Sequence, residues 1–392
     1  MKDLFSFQKK IALFLVVSIS FLMGIGIDLY VPSLPNISSY YHSPIRDVEL
    51  SISLYLLGYG LGQTILGIIS DSYGRKKVFI FSSLLFSMTS ILCAFSSNIY
   101  QLNIFRFIQG LAIAGLASGM RAIIVDLFEG LELKKMANYF ALSWALGPII
   151  APFIGANLSD YFGWKSNFYL LSVYGFLVFI VCFLFFRESN KKQIKFNIKT
   201  IKSNFIEIIT NKKFTLISIM YGLSYSSVLI FNTVGPDLIE MKFKYSIVDY
   251  GYLAMFLGCA YFLGTILNRY LIVKFNNENI LKSGVVFAVL ASFSMLLLTF
   301  EYQNVFVIIL PIFLMFVFIG LIVPNAIAIT MTIFPEKAGF ATSLCGTIVG
   351  LIVFVVTTIC GQFDISEISL SLCYICVFSI LYIIKIIVFK RK

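Results

Sequence analysis

Runs of about 20 predominantly apolar residues follow one another along the chain, separated by short polar segments. They fall near 11–32, 49–70, 78–97, 100–125, 137–158, 166–187, 214–236, 248–268, 283–300, 305–327, 339–362 and 369–388. A helix rising about 1.5 Å per residue needs such a length to cross a hydrocarbon layer about 30 Å thick. Lipid offers no partners to backbone N–H and C=O groups, so each run is predicted to be helical. The expected fold class is an all-α membrane protein with 12 transmembrane helices.

One polar interval, near 188–213, is longer than the rest and divides the chain. The predicted organisation is an N-terminal six-helix bundle over 1–188, a basic cytoplasmic linker over 189–213 and a C-terminal six-helix bundle over 214–392. Two pseudosymmetric halves of this kind are the pattern of repeat-built transporters. Within the linker, Ile194, Ile198, Ile201, Phe205 and Ile208 recur at helical spacing, with Lys195, Lys199 and Lys202 toward the other side. That pattern predicts an amphipathic helix on the inner leaflet; the other reading is a disordered basic tether.

Composition reinforces the membrane assignment. The 392 residues are 59% hydrophobic and 12% charged, with a mean hydropathy of +0.93, against about 25% charged for a soluble domain. The net charge of +11 is read as orientation. With both termini in the cytoplasm, about 24 of the basic residues fall on the inner side, leaving Arg46, Arg106, Lys165, Lys242 and Lys244 at or near the outer side, with Arg121 inside span 4. No basic soluble domain is available for nucleic acid. The first run is followed by Tyr30–Pro35 rather than a small-residue cleavage site, so it is expected to remain in place. The seven cysteines lie in apolar runs, and the single histidine is His42. Metal-binding, phosphate-loop and nucleophile-elbow patterns are missing, so neither an enzyme, a metal nor an organic cofactor is expected.

Candidate chemistry rests on the few polar groups at membrane depth, each costing about 2.5–3.5 kcal/mol on insertion scales if charged. Asp28 and Arg106 both fall about 6–9 Å inside the outer interface, at 1.5 Å per residue, which makes them a possible pair. The pair could fix packing alone or act as a proton-responsive couple: burial favours the neutral acid and a nearby guanidinium favours the carboxylate. Ser20, Gly24 and Asp28 form a stripe on span 1. Tyr30, Gln109, Tyr221, Tyr225, Asn232 and Asn325 are candidate cavity residues for an amphiphilic small molecule, with interhelical hydrogen bonding as the alternative role for each. In the second loop, Gly67-x3-Asp71-x2-Gly74-Arg75-Lys76 forms a basic turn, and Arg75 can reach Asp126 as a latch on a cytoplasmic gate. Gly147, Pro148, Pro152 and Gly155 punctuate span 5, where they are expected to permit bending and close packing.

That second-loop spacing resembles the signature of the major facilitator superfamily. Asp28-Leu29-Tyr30-Val31-Pro32-Ser33-Leu34-Pro35 is similar to span 1 of the bicyclomycin-resistance (Bcr/CflA) drug:proton antiporters. Arg106-Phe107-Ile108-Gln109-Gly110 resembles their span 4, whose first arginine is associated with proton coupling. Leu146-Gly147-Pro148-Ile149-Ile150-Ala151-Pro152-Phe153-Ile154-Gly155 resembles their antiporter motif. The resemblance implies proton-coupled export of drug-like molecules across the inner membrane by a monomer, with the proton gradient as energy source and protons, substrate and lipids as partners. Span 7 departs from it, reading Phe231-Asn232-Thr233-Val234-Gly235-Pro236. That departure keeps a dedicated exporter of one endogenous solute, such as a siderophore or metabolite, as the alternative.

Overall fold

The apolar runs become helices, most of which extend past the run into polar residues at one or both ends, because helical hydrogen bonding is as available in the interface as in the hydrocarbon. The computed structural model describes residues 2–190, 197–302, 304–363 and 366–390. Among them, helices long and apolar enough to span a membrane number 12. The N-terminal half holds α1 (Lys2–Asp28), the short α2 (Leu34–Tyr41), α3 (Ile45–Tyr73), α4 (Arg75–Ala94), α5 (Ile99–Leu127), α6 (Gly130–Phe162) and α7 (Lys165–Leu184). Then comes α8 (Ile198–Thr210), followed by α9 (Lys212–Pro236), α10 (Ile247–Leu271), α11 (Asn277–Glu301), α12 (Val305–Ile333), α13 (Ala338–Cys360) and α14 (Glu367–Phe389). The Lys/Arg-rich ends of the bundle are called inner below.

Two breaks matter for function. The expected first span, 11–32, is in fact interrupted: α1 stops at Asp28, a 3-10 turn follows at Val31–Ser33, and α2 continues outward to Tyr41. Pro32 and Pro35 explain the interruption, since proline lacks the N–H that would continue the helix and biases the residue before it away from the α region. The second break follows Pro236, where α9 passes into a wider π-type segment, Asp237–Lys242.

Helices α3 and α5 pack along each other, as do α4 and α7, α1 and α6, and, in the second half, α11 and α12 or α10 and α12. The halves meet along two seams, α3 on α13 and α6 on α10. Glycines allow both. A Cβ added to Gly60 would lie 2.8 Å from the Gly350 Cα, and one on Gly258 would lie 2.9 Å from the Ile149 Cα. Hydroxyl pairs flank the first seam: Ser53–Thr357 at 2.7 Å toward the outside and Thr64–Thr347 at 2.8 Å toward the inside.

The halves also repeat a polar pairing at the inner third. Arg121 on α5 donates to Gln63 on α3 at 2.5 Å, and Asn325 on α12 donates to Asn268 on α10 at 2.6 Å. Helix α8 buries Ile208 alone, leaves Ile198 and Phe205 exposed, and is tied to the body through Glu207, which accepts from Lys337 at 2.6 Å. The expected stripe residues Ile194 and Lys195 lie outside the described residues.

Candidate functional site

Asp28 caps the broken end of α1 and is 3% exposed. Its Oδ1 accepts a 2.6 Å hydrogen bond from the Asn232 Nδ2 on α9. The bond joins the two halves of the protein. The expected direct pairing with Arg106 is not formed: no ion pair between them occurs among the described residues. Similar depth put both groups on one level, but the helix ends at Asp28 and turns its carboxyl toward α9 instead of α5.

Arg106 is fully buried and held without a carboxylate. Its guanidinium lies 4.0 Å from the Tyr55 ring centroid and 4.4 Å from that of Tyr30, a cation–π sandwich. Its Nη1 donates to the Gly26 carbonyl at 3.2 Å and to the Gln109 Oε1 at 2.5 Å. Gln109 passes the chain on, donating to Ser90 at 2.6 Å, while Tyr30 pairs with Ser51 at 2.7 Å. Arg106 Nε and Nη2 have no hydrogen-bond partner. The cation therefore sits two residues before Asp28 along α1, fixed by backbone and aromatic faces.

Asp28 and Asn232 line a central cavity of about 20 Å³ with Trp144, Pro148, Pro152, Tyr225, Tyr261 and Phe316 among its walls. That volume matches one water, whereas drug-sized sites run to about 300–1,000 Å³. In this conformer the space beside Asp28 is therefore too small for a drug-sized molecule. Tyr225 is tilted against Trp144 with centroids 5.9 Å apart, and Tyr221 lies next to Tyr225 at 6.4 Å. Of the expected cavity residues, Tyr225 and Asn232 line this space. Tyr30 and Gln109 instead serve the Arg106 network, and Asn325 bonds Asn268, so these three do not face the cavity. The sequence analysis missed Trp144, Tyr261 and Phe316. Trp144 stands four residues before Pro148 and eight before Pro152, one helical stripe that could have revealed it.

The expected punctuation of span 5 divides its work by face. Gly147 and Gly155 meet α1 on either side of Asp28: an added Cβ on Gly24 would lie 2.8 Å from the Gly147 Cα, and one on Gly155 would strike the Leu29 carbonyl. Pro148 and Pro152 turn to the other half, where an added Cβ on Gly258 would lie 3.0 Å from the Pro148 carbonyl and one on Gly251 would lie 3.2 Å from that of Pro152.

A family model described as the Major Facilitator Superfamily matches residues 16–357. The chain belongs to this superfamily. Among curated relatives, an uncharacterized MFS-type transporter, YdgK of Bacillus subtilis, is 27% identical over 90% of this chain and 89% of its own. A bicyclomycin resistance protein homolog of Haemophilus influenzae is 24% identical over 84% of this chain and 83% of its own. The multidrug resistance protein MdtL of Salmonella typhi is 28% identical over 57% of each chain. Among solved structures, a D-xylose-proton symporter shares the fold with a TM-score of 0.80 over 96% of this chain and 97% of that one, at 13% identity. Family and fold indicate a multi-pass membrane transporter, not an enzyme.

In this superfamily member, the second-loop residues form a cluster at the inner ends of α3, α4, α5 and α7. Arg75 bonds the carboxylate of Asp71, donates to Ser70 at 3.1 Å and reaches the Asp126 Oδ2 at 3.4 Å. Ser189 donates to the same Asp126 oxygen at 3.0 Å. Glu188, which the sequence analysis did not single out, caps α4 by accepting from the backbone N–H of Arg75 at 2.9 Å and of Lys76 at 3.1 Å. Gly74 has φ +103°, and an added Cβ would strike the Glu188 carboxylate, so the turn requires glycine twice over. All these partners belong to the N-terminal half or, in Ser189, to the first residue of the linker that leaves it. The expected latch therefore ties helices within one half and is not a clasp between halves. Gly67 is the motif residue at the inter-half contact, with 3.2 Å from an added Cβ to the Ser343 Oγ. Arg75→Ala is expected to lower the thermal stability of the purified protein by about 1.5–3 kcal/mol, the worth of a hydrogen bond to a charged group. An unchanged unfolding midpoint in a thermal-shift measurement would contradict the cluster's structural role.

Proposed function

We propose that this chain exports drug-like or amphiphilic small molecules in exchange for protons, by alternating access across the inner membrane. The observation that carries this reading is the Asp28–Asn232 hydrogen bond, which places an acid of one half in the hand of an amide of the other, inside the central cavity. When the halves part, that bond breaks and Asp28 meets water and substrate. The acid then trades its proton. Arg106 is anchored on the Gly26 carbonyl nearby, so the acid trades its proton close to a fixed positive charge.

The cavity walls support the substrate class. Trp144, Tyr225 and Tyr261 combine broad apolar faces with polar tips, and Phe316 adds a purely apolar face, the surface that amphiphiles use. The names of the bicyclomycin-resistance and multidrug-resistance relatives point the same way. Asn232 belongs to the span-7 sequence that departs from the resemblance, and it is the residue that touches Asp28. That favours, as a second reading, a site specialised for one endogenous solute.

The test is uptake into everted vesicles under an imposed pH gradient, with a chemically diverse panel. Gradient-dependent uptake of several unrelated amphiphiles is the expected result. Uptake of one compound alone selects the second reading. Uptake indifferent to the gradient removes the proton from the proposal.

A further inference from the structure

At the outer end of the interface between the halves, α3 and the end of α13 close over a second acid. Glu49, in the second turn of α3, is 2% exposed, and neither of its carboxyl oxygens has a hydrogen-bond partner. Gly361, just past α13, leaves room for it: an added Cβ there would lie 2.7 Å from the Glu49 Oε2. Thr357 and Ser53 clasp one turn further in, at 2.7 Å.

The ionisable groups around Glu49 offer no positive charge. Asp237, from the segment that follows α9, is the charged side chain within electrostatic range. Cys360, at the end of α13 next to Gly361, is paired with Cys373 of α14, so it brings no positive charge either. Glu240, three residues after Asp237, has its own buried Oε1 without a partner. On the helix of Glu49 itself, Arg46 is exposed and lies 4.0 Å from Asp47. Lys242 is engaged by Glu367. Among the described residues, no lysine or arginine lies within ion-pair distance of Glu49, Asp237 or Glu240.

A carboxylate removed from water with neither a counter-charge nor a hydrogen bond is far costlier than the neutral acid. A metal cation is not the natural remedy, because no three His, Cys, Asp or Glu side chains come together in a metal-holding group among the described residues. We propose that Glu49 is a second proton-binding site, filled as the outer ends of the two halves close and emptied to the outer solution as they part. The proton comes from and returns to water, with the carboxyl oxygen as the only acceptor. An acidic exterior then stabilises the outwardly closed protein. The inference needs only that the halves separate at this end and does not depend on Asp28.

Cys360 is a built-in reporter, because it directly precedes Gly361, which abuts the Glu49 carboxyl, and is 6% exposed. The experiment labels the full-length protein in right-side-out vesicles with a membrane-impermeant maleimide, without substrate, and reads the Cys360 peptide by mass spectrometry. Wild type and Glu49→Gln are compared at about pH 5.5 and about pH 8.5, which bracket the range of perturbed carboxyl groups. At the higher pH, wild type is expected to label at least about fivefold faster than Glu49→Gln; at the lower pH the two should match. Taking the ratio cancels the thiol's own titration. Loss of the Glu49 charge alone would speed the Gln variant, so the expected order cannot arise from local electrostatics. Equal ratios at both pH values overturn the proposal. Asp237→Asn provides a second arm that leaves Glu49 intact. Removing the neighbouring negative charge should move the wild-type opening transition to lower pH, and an unmoved transition overturns the proposal equally.

Discussion

Asp28→Asn is expected to abolish proton-driven transport while the protein still folds. The new side chain has nearly the same shape as the acid, and its amide oxygen can still accept from the Asn232 Nδ2 that now lies 2.6 Å away. A neutral acceptor makes a weaker bond than a carboxylate, but the geometry is kept. What disappears is the exchangeable proton. The steady accumulation ratio in everted vesicles under a pH gradient should fall more than about tenfold, a change worth about 1.4 kcal/mol or more in driving free energy. Exchange of labelled for unlabelled substrate without a gradient should persist, because a permanently neutral cavity can still alternate. Wild-type gradient-driven uptake by this variant would remove Asp28 from the coupling site.

Arg106→Lys is expected to damage both stability and transport, although it conserves the charge. The guanidinium is used as a plane: Tyr30 and Tyr55 cover its faces at 4.4 and 4.0 Å, and its Nη1 serves both Gly26 and Gln109. An ammonium is a compact, strongly hydrated point charge and cannot replace a stacked fork. Losing one hydrogen bond to a charged group costs about 1.5–3 kcal/mol, or roughly 10- to 100-fold in an equilibrium. The Gln109–Ser90 contact should loosen with it. Thermal unfolding and gradient-driven uptake are the paired measurements, and they separate this variant from Asp28→Asn, in which stability is retained. A fully stable, fully active lysine variant would mean that only the positive charge matters.

The helices were legible in the sequence because lipid leaves the backbone one economical choice, and run length then counts the crossings. Their ends were less legible. Charged residues such as Arg75 and Glu301 lie inside helices that outrun the apolar stretches. The break at Leu29–Tyr30 was written in Pro32 and Pro35, yet hydrophobicity runs straight across it. Depth placed Asp28 and Arg106 at one level, but depth does not say which way a side chain faces around the helix axis. Asn232 emerged as a polar residue on span 7 without its partner, because the pairing depends on which helices of different halves adjoin. Glu49, Glu188 and Trp144 were overlooked for the same reason: each gains its meaning from a neighbour distant in sequence.

The contact of Gly60 with Gly350 sets backbone against backbone where the halves touch. With no knob seated in a hole there, the hydrogen bond that Thr347 Oγ1 donates to the Gly60 carbonyl at 2.7 Å is what must let go at that point before the two surfaces can roll. The hydroxyl pairs Ser53–Thr357 and Thr64–Thr347 sit on either side of this smooth pivot like detents, one released for each direction of swing. A molecule hinged in this way carries its switching barrier in a few small polar clips, so conservative changes such as Thr→Val at those positions should retune its speed without redesigning its pocket.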